Sequence, residues 1–158
     1  MRALWISALA AFGLDQLSKV IVVHLMELRS IGVIDVAPPY LTFRMGWNTG
    51  INFGLLSGAG ARWLLIAVAV VVSLFLVRWA RGFTRPLALV SAGLVVGGAL
   101  ANALDRVIYG AVADFLNMSC CGLGNPYAFN LADVFIFAGA VGLIFFADDN
   151  TDKGAKTP

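Results

Sequence analysis

Six ionisable side chains stand in or beside the long apolar stretches of this 158-residue chain: Asp15, Lys19, Asp105, Arg106, Asp114 and Asp133. Placing such a group at the centre of a bilayer costs about 2.5 to 3.5 kcal/mol on insertion scales, so each one is a functional candidate. Asp15 and Lys19 are four apart on a helix and can pair on one face, and Arg106 can serve one further carboxylate. Two cations therefore meet four carboxylates. Unpaired carboxylates in a poorly solvated site coexist when their pKa values separate and they share a proton, which is the equipment for activating water in peptide hydrolysis. Two other uses of the same acids remain open at this point: ion pairs that lock helices together, and a relay for protons or ions.

Amides accompany these carboxylates. Asn102, Asp105 and Arg106 fall at i, i+3 and i+4 and share a helical face, as do Asn130 and Asp133 at i and i+3. An amide beside a carboxylate can orient it by hydrogen bonding. Asn48, Gly50 and Asn52 lie in the stretch Asn48-Thr49-Gly50-Ile51-Asn52-Phe53-Gly54, where backbone can approach a bound chain closely; a tight turn is an equal reading.

The elements that position these groups follow from composition. Hydrophobic residues make up 60% of the chain and charged ones 13%, against roughly 25% in an ordinary soluble domain. A soluble protein of this size cannot hide that much apolar surface, whereas four helices of about 20 residues can place it in a bilayer. Four apolar segments stand out, at about Ala3 to Met26, Trp63 to Trp79, Pro86 to Leu104 and Tyr127 to Ala147. The fold class expected is an all-α membrane protein with four transmembrane helices and a small extracytoplasmic β-element between the first and second spans. Residues 1–147 would form one membrane domain, with the outer element at about 29–60, and 148–158 a disordered cytoplasmic tail.

Several partners are excluded. A net charge of +2 from scattered basic residues does not build a nucleic-acid surface. One histidine, His24, and the adjacent pair Cys120-Cys121 do not make a His- or Cys-ligated metal site, and no cofactor is implied. Adjacent cysteines do not form an ordinary loop-closing disulfide with each other, so interfacial packing is the role expected of them. The small-x-small triplet Ala8-Leu9-Ala10 has the form of a signal-peptide cleavage site. The apolar run before it, Ala3 to Ser7, is too short for an h-region, so the first segment is expected to stay.

Orientation follows from the basic residues in short loops. Arg78, Arg81 and Arg85 crowd the connection between the second and third segments and Arg2 precedes the first, which places these ends and both termini in the cytoplasm. In the first outer segment Leu41, Phe43, Met45 and Trp47 alternate with Thr42, Arg44 and Gly46, the period of a half-buried strand, after a turn at Pro38-Pro39. The third span then reaches Asp105 at its outer end and carries Asp114 to the boundary. Asp133, six residues past Tyr127, lies about 9 Å along a helix from it. Asp114 and Asp133 converge near the outer face.

The ordered set Asp15-Gln16-Leu17-Ser18-Lys19, Asn48-Thr49-Gly50 with Phe53, Asn102-Ala103-Leu104-Asp105-Arg106, Val112-Ala113-Asp114-Phe115 and Phe129-Asn130-Leu131-Ala132-Asp133 resembles the bacterial lipoprotein signal peptidases, also called signal peptidase II. The likeness runs from the first span to the fourth. It implies an aspartic endopeptidase of the bacterial inner membrane that removes the signal peptide of a prolipoprotein, cutting before the diacylglyceryl-modified cysteine. The resemblance assigns the catalytic pair to Asp114 and Asp133. It gives Asn102, Asp105, Arg106 and Asn130 supporting roles around that pair, and Asn48 and Gly50 a place on the substrate. Asp15 and Lys19 are expected to form a structural pair. The partners expected are lipid-modified prolipoproteins and membrane lipids, with the enzyme a monomer. Ile51 and Asn52, where the family often has two alanines, and Cys120-Cys121 depart from the family pattern. The principal alternative is a small proton-coupled transporter or channel subunit using the acids as a relay; it requires acids spread through the bilayer depth, whereas most here cluster at one boundary.

Overall fold

The structure is a computed structural model that describes residues 1–50, 59–120 and 124–147. The tail 148–158, Ile51, Asn52, Phe53 and Cys121 lie outside the described residues.

Helix α1 (Arg2–Lys19) runs without a break into one π-helical turn, Val20–Leu25. A short helix α2 (Leu28–Ile31) leads to β1 (Val33–Ala37) and β2 (Leu41–Asn48). Helices α3 (Ala59–Trp79) and α4 (Pro86–Tyr109) follow, then β3 (Val112–Met118) and α5 (Leu131–Phe146). Among the described residues, three segments are long and apolar enough to cross a membrane: Arg2–Leu25, Gly60–Gly82 and Pro86–Tyr109. The chain is a mostly helical membrane protein. Leu64, Val68, Val71, Leu74 and Phe75 of α3 and Phe137, Ile144 and Phe145 of α5 are exposed. An apolar face of that extent needs lipid as its solvent.

Helix α4 is the central element, because small residues let both neighbours approach its backbone. A Cβ on Gly93 would strike Ser7 and the Leu4 carbonyl, and one on Gly97 would strike the Ala8 carbonyl, all on α1. Across the other side, Gly98 lies against the Ala132 carbonyl, and Gly139 and Gly142 of α5 lie against Ser91. Such contacts suit helix association in lipid, where close backbone packing and interhelical hydrogen bonds replace the hydrophobic effect. Ser7 adds one of those bonds, donating from Oγ to the Val90 carbonyl at 3.1 Å.

The sheet has the antiparallel order β1-β2-β3. The expected turn at Pro38-Pro39 joins β1 to β2, closed by the Tyr40 N–H on the Ala37 carbonyl at 2.8 Å. Phe43 and Met45 of β2 pack inward with Val22, Val23, Leu28, Ala113 and Phe115. A bulge between Phe43 and Gly46 interrupts the alternation, and Trp47 beyond it lies against Tyr109.

Two sequence-based expectations need correction here. The β-element is not confined to the connection between the first two long helices, since its third strand comes from the segment after α4. The last helix also starts at Leu131, not near Tyr127. Asn130 caps it, its side chain accepting from the Asp133 N–H while Asp133 accepts from the Asn130 N–H, and the residues before it are held by the sheet. With 16 residues, α5 is about 24 Å long against a hydrocarbon core of about 30 Å.

Candidate active site

Asp114 and Asp133 reach the same place from different kinds of element. Asp114 lies on β3 opposite Gly46 of β2, and Asp133 is the third residue of α5. Asn130 links them. Its Nδ2 donates to Asp114 Oδ1 at 2.6 Å, and its backbone N–H donates to Asp133 Oδ2 at 3.2 Å. The cap that starts α5 is thus also the bridge between the two carboxylates.

Each remaining carboxylate oxygen has its own amide donor. Asn48 Nδ2, from the end of β2, donates to Asp114 Oδ2 at 3.2 Å, and Asn102 Nδ2, from α4, donates to Asp133 Oδ1 at 3.0 Å. Asn48 therefore touches Asp114 directly, and its Oδ1 also accepts the Gly50 N–H at 3.2 Å. Asp114 is buried and Asp133 half-buried. Loss of water around Asp114, then the charge of Asp133, push its carboxyl up to about 7. Hydrogen bonds from Asn48 and Asn130 act in the opposite direction. Near neutral pH this site can hold one acid and one carboxylate, the state that general acid–base hydrolysis requires.

The other candidate charges form a separate group. Lys19 Nζ meets Asp15 Oδ2 and Asp105 Oδ2, each at 2.7 Å. The sequence reading expected Asp15 and Lys19 to pair. It did not anticipate that the same ammonium would join α1 to α4 through Asp105, or that Arg106 would turn elsewhere. Arg106 donates to the Asn102 carbonyl and, from Nη2, to the Gly50 carbonyl, both at 3.3 Å.

Asp15 and Asp105 also hold backbone next to the two site carboxylates. Asp15 Oδ1 accepts the Ala132 N–H at 2.9 Å, in the first turn of α5 where an anion is favoured. Asp105 Oδ2 accepts the Ala113 N–H at 3.2 Å, one residue before Asp114. Gln16, given no role from the sequence, donates to Asp105 Oδ1 at 2.9 Å and spans α1 and α4. An amide directly after Asp15, within the first apolar segment, was the available signal. Cys120 is exposed just past β3.

Residues 7–147 match the protein family described as Signal peptidase (SPase) II. A lipoprotein signal peptidase of Rhodopseudomonas palustris is 38% identical over 145 residues, covering 89% of this chain and 88% of that protein. One from Nitrobacter hamburgensis is 38% identical over 164 residues, covering 100% and 95%. Among solved structures, one titled "Bacterial membrane enzyme structure by the in meso method at 2.3 A resolution" superposes with a TM-score of 0.75 at 26% identity, covering 97% of this chain and 92% of that one. The chain belongs to the signal peptidase II family.

Proposed function

We propose that this protease is an aspartic endopeptidase that cleaves the signal peptide from diacylglyceryl-modified prolipoproteins, on the amino side of the lipidated cysteine. Asp114 and Asp133 are its catalytic pair. The observation that carries this reading is the Asn130 bridge, which fixes two carboxylates of different burial against one amide residue.

Asp114, the more buried of the two, holds the resting proton. Ionised Asp133 takes a proton from water as the water oxygen attacks the scissile carbonyl carbon, and Asp114 donates to the carbonyl oxygen. When the tetrahedral intermediate collapses, Asp133 gives its proton to the leaving amine and Asp114 recovers its own. Every proton is accounted for without a covalent enzyme intermediate.

The setting follows from the elements. Helices α1, α3, α4 and α5 serve as four spans in the bacterial inner membrane, with both termini cytoplasmic, the sheet on the outer side, and residues 1–147 as one unit. The shorter α5 begins at the level of the site because β3 and the chain before Asn130 occupy the depth above it. The enzyme works as a monomer among membrane lipids. Asn48 and Gly50 face the substrate side of the pair, and Asn102, Asp105, Arg106 and Asn130 support it.

A cleavage assay with purified protein and a lipid-modified prolipoprotein tests the assignment. Asp114→Asn and Asp133→Asn should each lose cleavage while keeping the helical circular dichroism of the parent. Cleavage retained by either variant would remove the two-Asp mechanism.

A further inference from the structure

The Lys19 ammonium has three N–H donors and three acceptors in reach: Asp15 Oδ2 and Asp105 Oδ2 at 2.7 Å, and Asn102 Oδ1 at 3.3 Å. The first two are the contacts of a helix lock. The third has a different consequence, because Asn102 is one of the two donors to Asp133.

An Asn side chain presents a carbonyl on one side and an NH₂ on the other, and either orientation fills the same space. At Asn102 the carbonyl oxygen receives Lys19 Nζ and, at 3.2 Å, Asn130 Nδ2. Lys19 has no acceptor, so it can face only the carbonyl. That leaves the Asn102 NH₂ pointing at Asp133 Oδ1. With the amide reversed, a carbonyl oxygen would face the Asp133 carboxylate, and the base that must take a proton from water would be held in the wrong state. Asn130 is subject to the same logic one step further on. Its Nδ2 donates to both Asn102 Oδ1 and Asp114 Oδ1, and its Oδ1 accepts the Asp133 N–H.

Resting on the proposed Asp114/Asp133 pair, we infer that Lys19 is a positioning residue for that pair, acting through Asn102 to set the donor that faces Asp133, and is not solely a tie between helices. Its ammonium sits two hydrogen bonds from the Asp133 carboxylate and touches neither substrate nor water in this scheme. The polarity of the chain Lys19 to Asn102 to Asp133 is the route by which it acts on Asp133.

The test is a double-mutant cycle on purified protein with a lipid-modified prolipoprotein peptide, comparing Lys19→Met, Asn102→Ala and the double variant by kcat, KM and melting temperature. If Lys19 acts through Asn102, Lys19→Met lowers kcat by about 100-fold with KM unchanged. The double variant is then no slower than Asn102→Ala alone. A structural tie predicts otherwise: a lower melting temperature with kcat per folded molecule preserved, or losses that multiply in the double variant. Either result overturns the inference. Lys19→Met leaves two buried carboxylates without their cation, so the same cycle is also run in an Asp105→Asn background, where one carboxylate is removed together with the ammonium. The Asp114→Asn and Asp133→Asn controls separate the two levels of the argument. Cleavage retained in either control removes the catalytic pair itself; two inactive controls beside a multiplicative cycle remove only the role of Lys19.

Discussion

Two groups of acids lie next to each other in this molecule, and they are satisfied in opposite ways. Asp15 and Asp105 share one ammonium at 2.7 Å each and are fully buried. Among the described residues, Asp114 and Asp133 receive only amide donors, from Asn48, Asn102 and Asn130, at 2.6 to 3.2 Å. A cation at contact distance favours the anionic form of a carboxylate, whereas a neutral amide orients it without supplying a countercharge. As proposed above, one group holds helices, and the other keeps a movable proton. Asn102 stands between them, taking Lys19 on one side and giving to Asp133 on the other.

Removing either member of the movable pair is the strongest way to test this contrast. Asp114→Asn and Asp133→Asn should each lower cleavage by about 10⁴-fold, read by product formation, with melting temperature close to the parent's. Asp15→Ala should do the reverse, because it removes one of the two carboxylates that hold Lys19 and leaves the buried Ala132 N–H without its acceptor. It should lower unfolding stability by about 1 to 3 kcal/mol, read by thermal or denaturant melts in detergent. An Asp15→Ala protein that melted normally would erase the distinction between the two groups.

Asn130 belongs to both helix and site, so Asn130→Ala should show a mixed loss. Cleavage should fall by about 100-fold and stability by about 1 kcal/mol for the missing cap. A gentler test is pH. With Asp114 held up to about 7, the singly protonated pair is depleted above that value, and kcat/KM should fall as pH rises past about 7. The sign for stability is the same. The folded state keeps a proton that the unfolded chain releases from 3.8 upward, so Asp114 makes stability decline from there to about 7, and Asp114→Asn should flatten that decline.

Much of this contrast was visible as a count. Two cations and four carboxylates along apolar segments imply that some acids lack a partner, and span lengths bring Asp114 and Asp133 to one level. Which acids would go without was less accessible. The four-residue rule finds Lys19 a partner on its own helix, but the contact with Asp105 depends on how closely α1 lies on α4. Gly93 and Gly97 set that distance, and nothing in their sequence neighbourhood says which helix they face. Strand β3 gave no alternation because most of Val112–Met118 is buried on both faces, which removes the period-2 signal. At α5 hydropathy misled. Tyr127, Ala128 and Phe129 read as the start of a span, although Asn130 and Asp133 at i and i+3 carry the chemistry of a capping box. The same spacing puts both residues on one helical face, and the apolar run before it hides its capping meaning.

The sheet also has a bearing on how copies of this enzyme live beside one another. A three-stranded sheet has two free edges, and each edge is a template on which another chain can add a strand. Here the β3 edge is closed from within: the Phe115 and Leu116 N–H groups donate to the Phe129 carbonyl at 3.0 and 2.8 Å, and the Phe129 N–H returns a bond to Leu116 at 3.0 Å. The β1 edge is five residues long, irregular between Asp35 and Ala37, and followed at once by two prolines. A second molecule approaching that edge meets a carboxylate, a break in register and two positions with no N–H to offer. Crowded side by side in a membrane, these molecules have no flat ladder on which to polymerise.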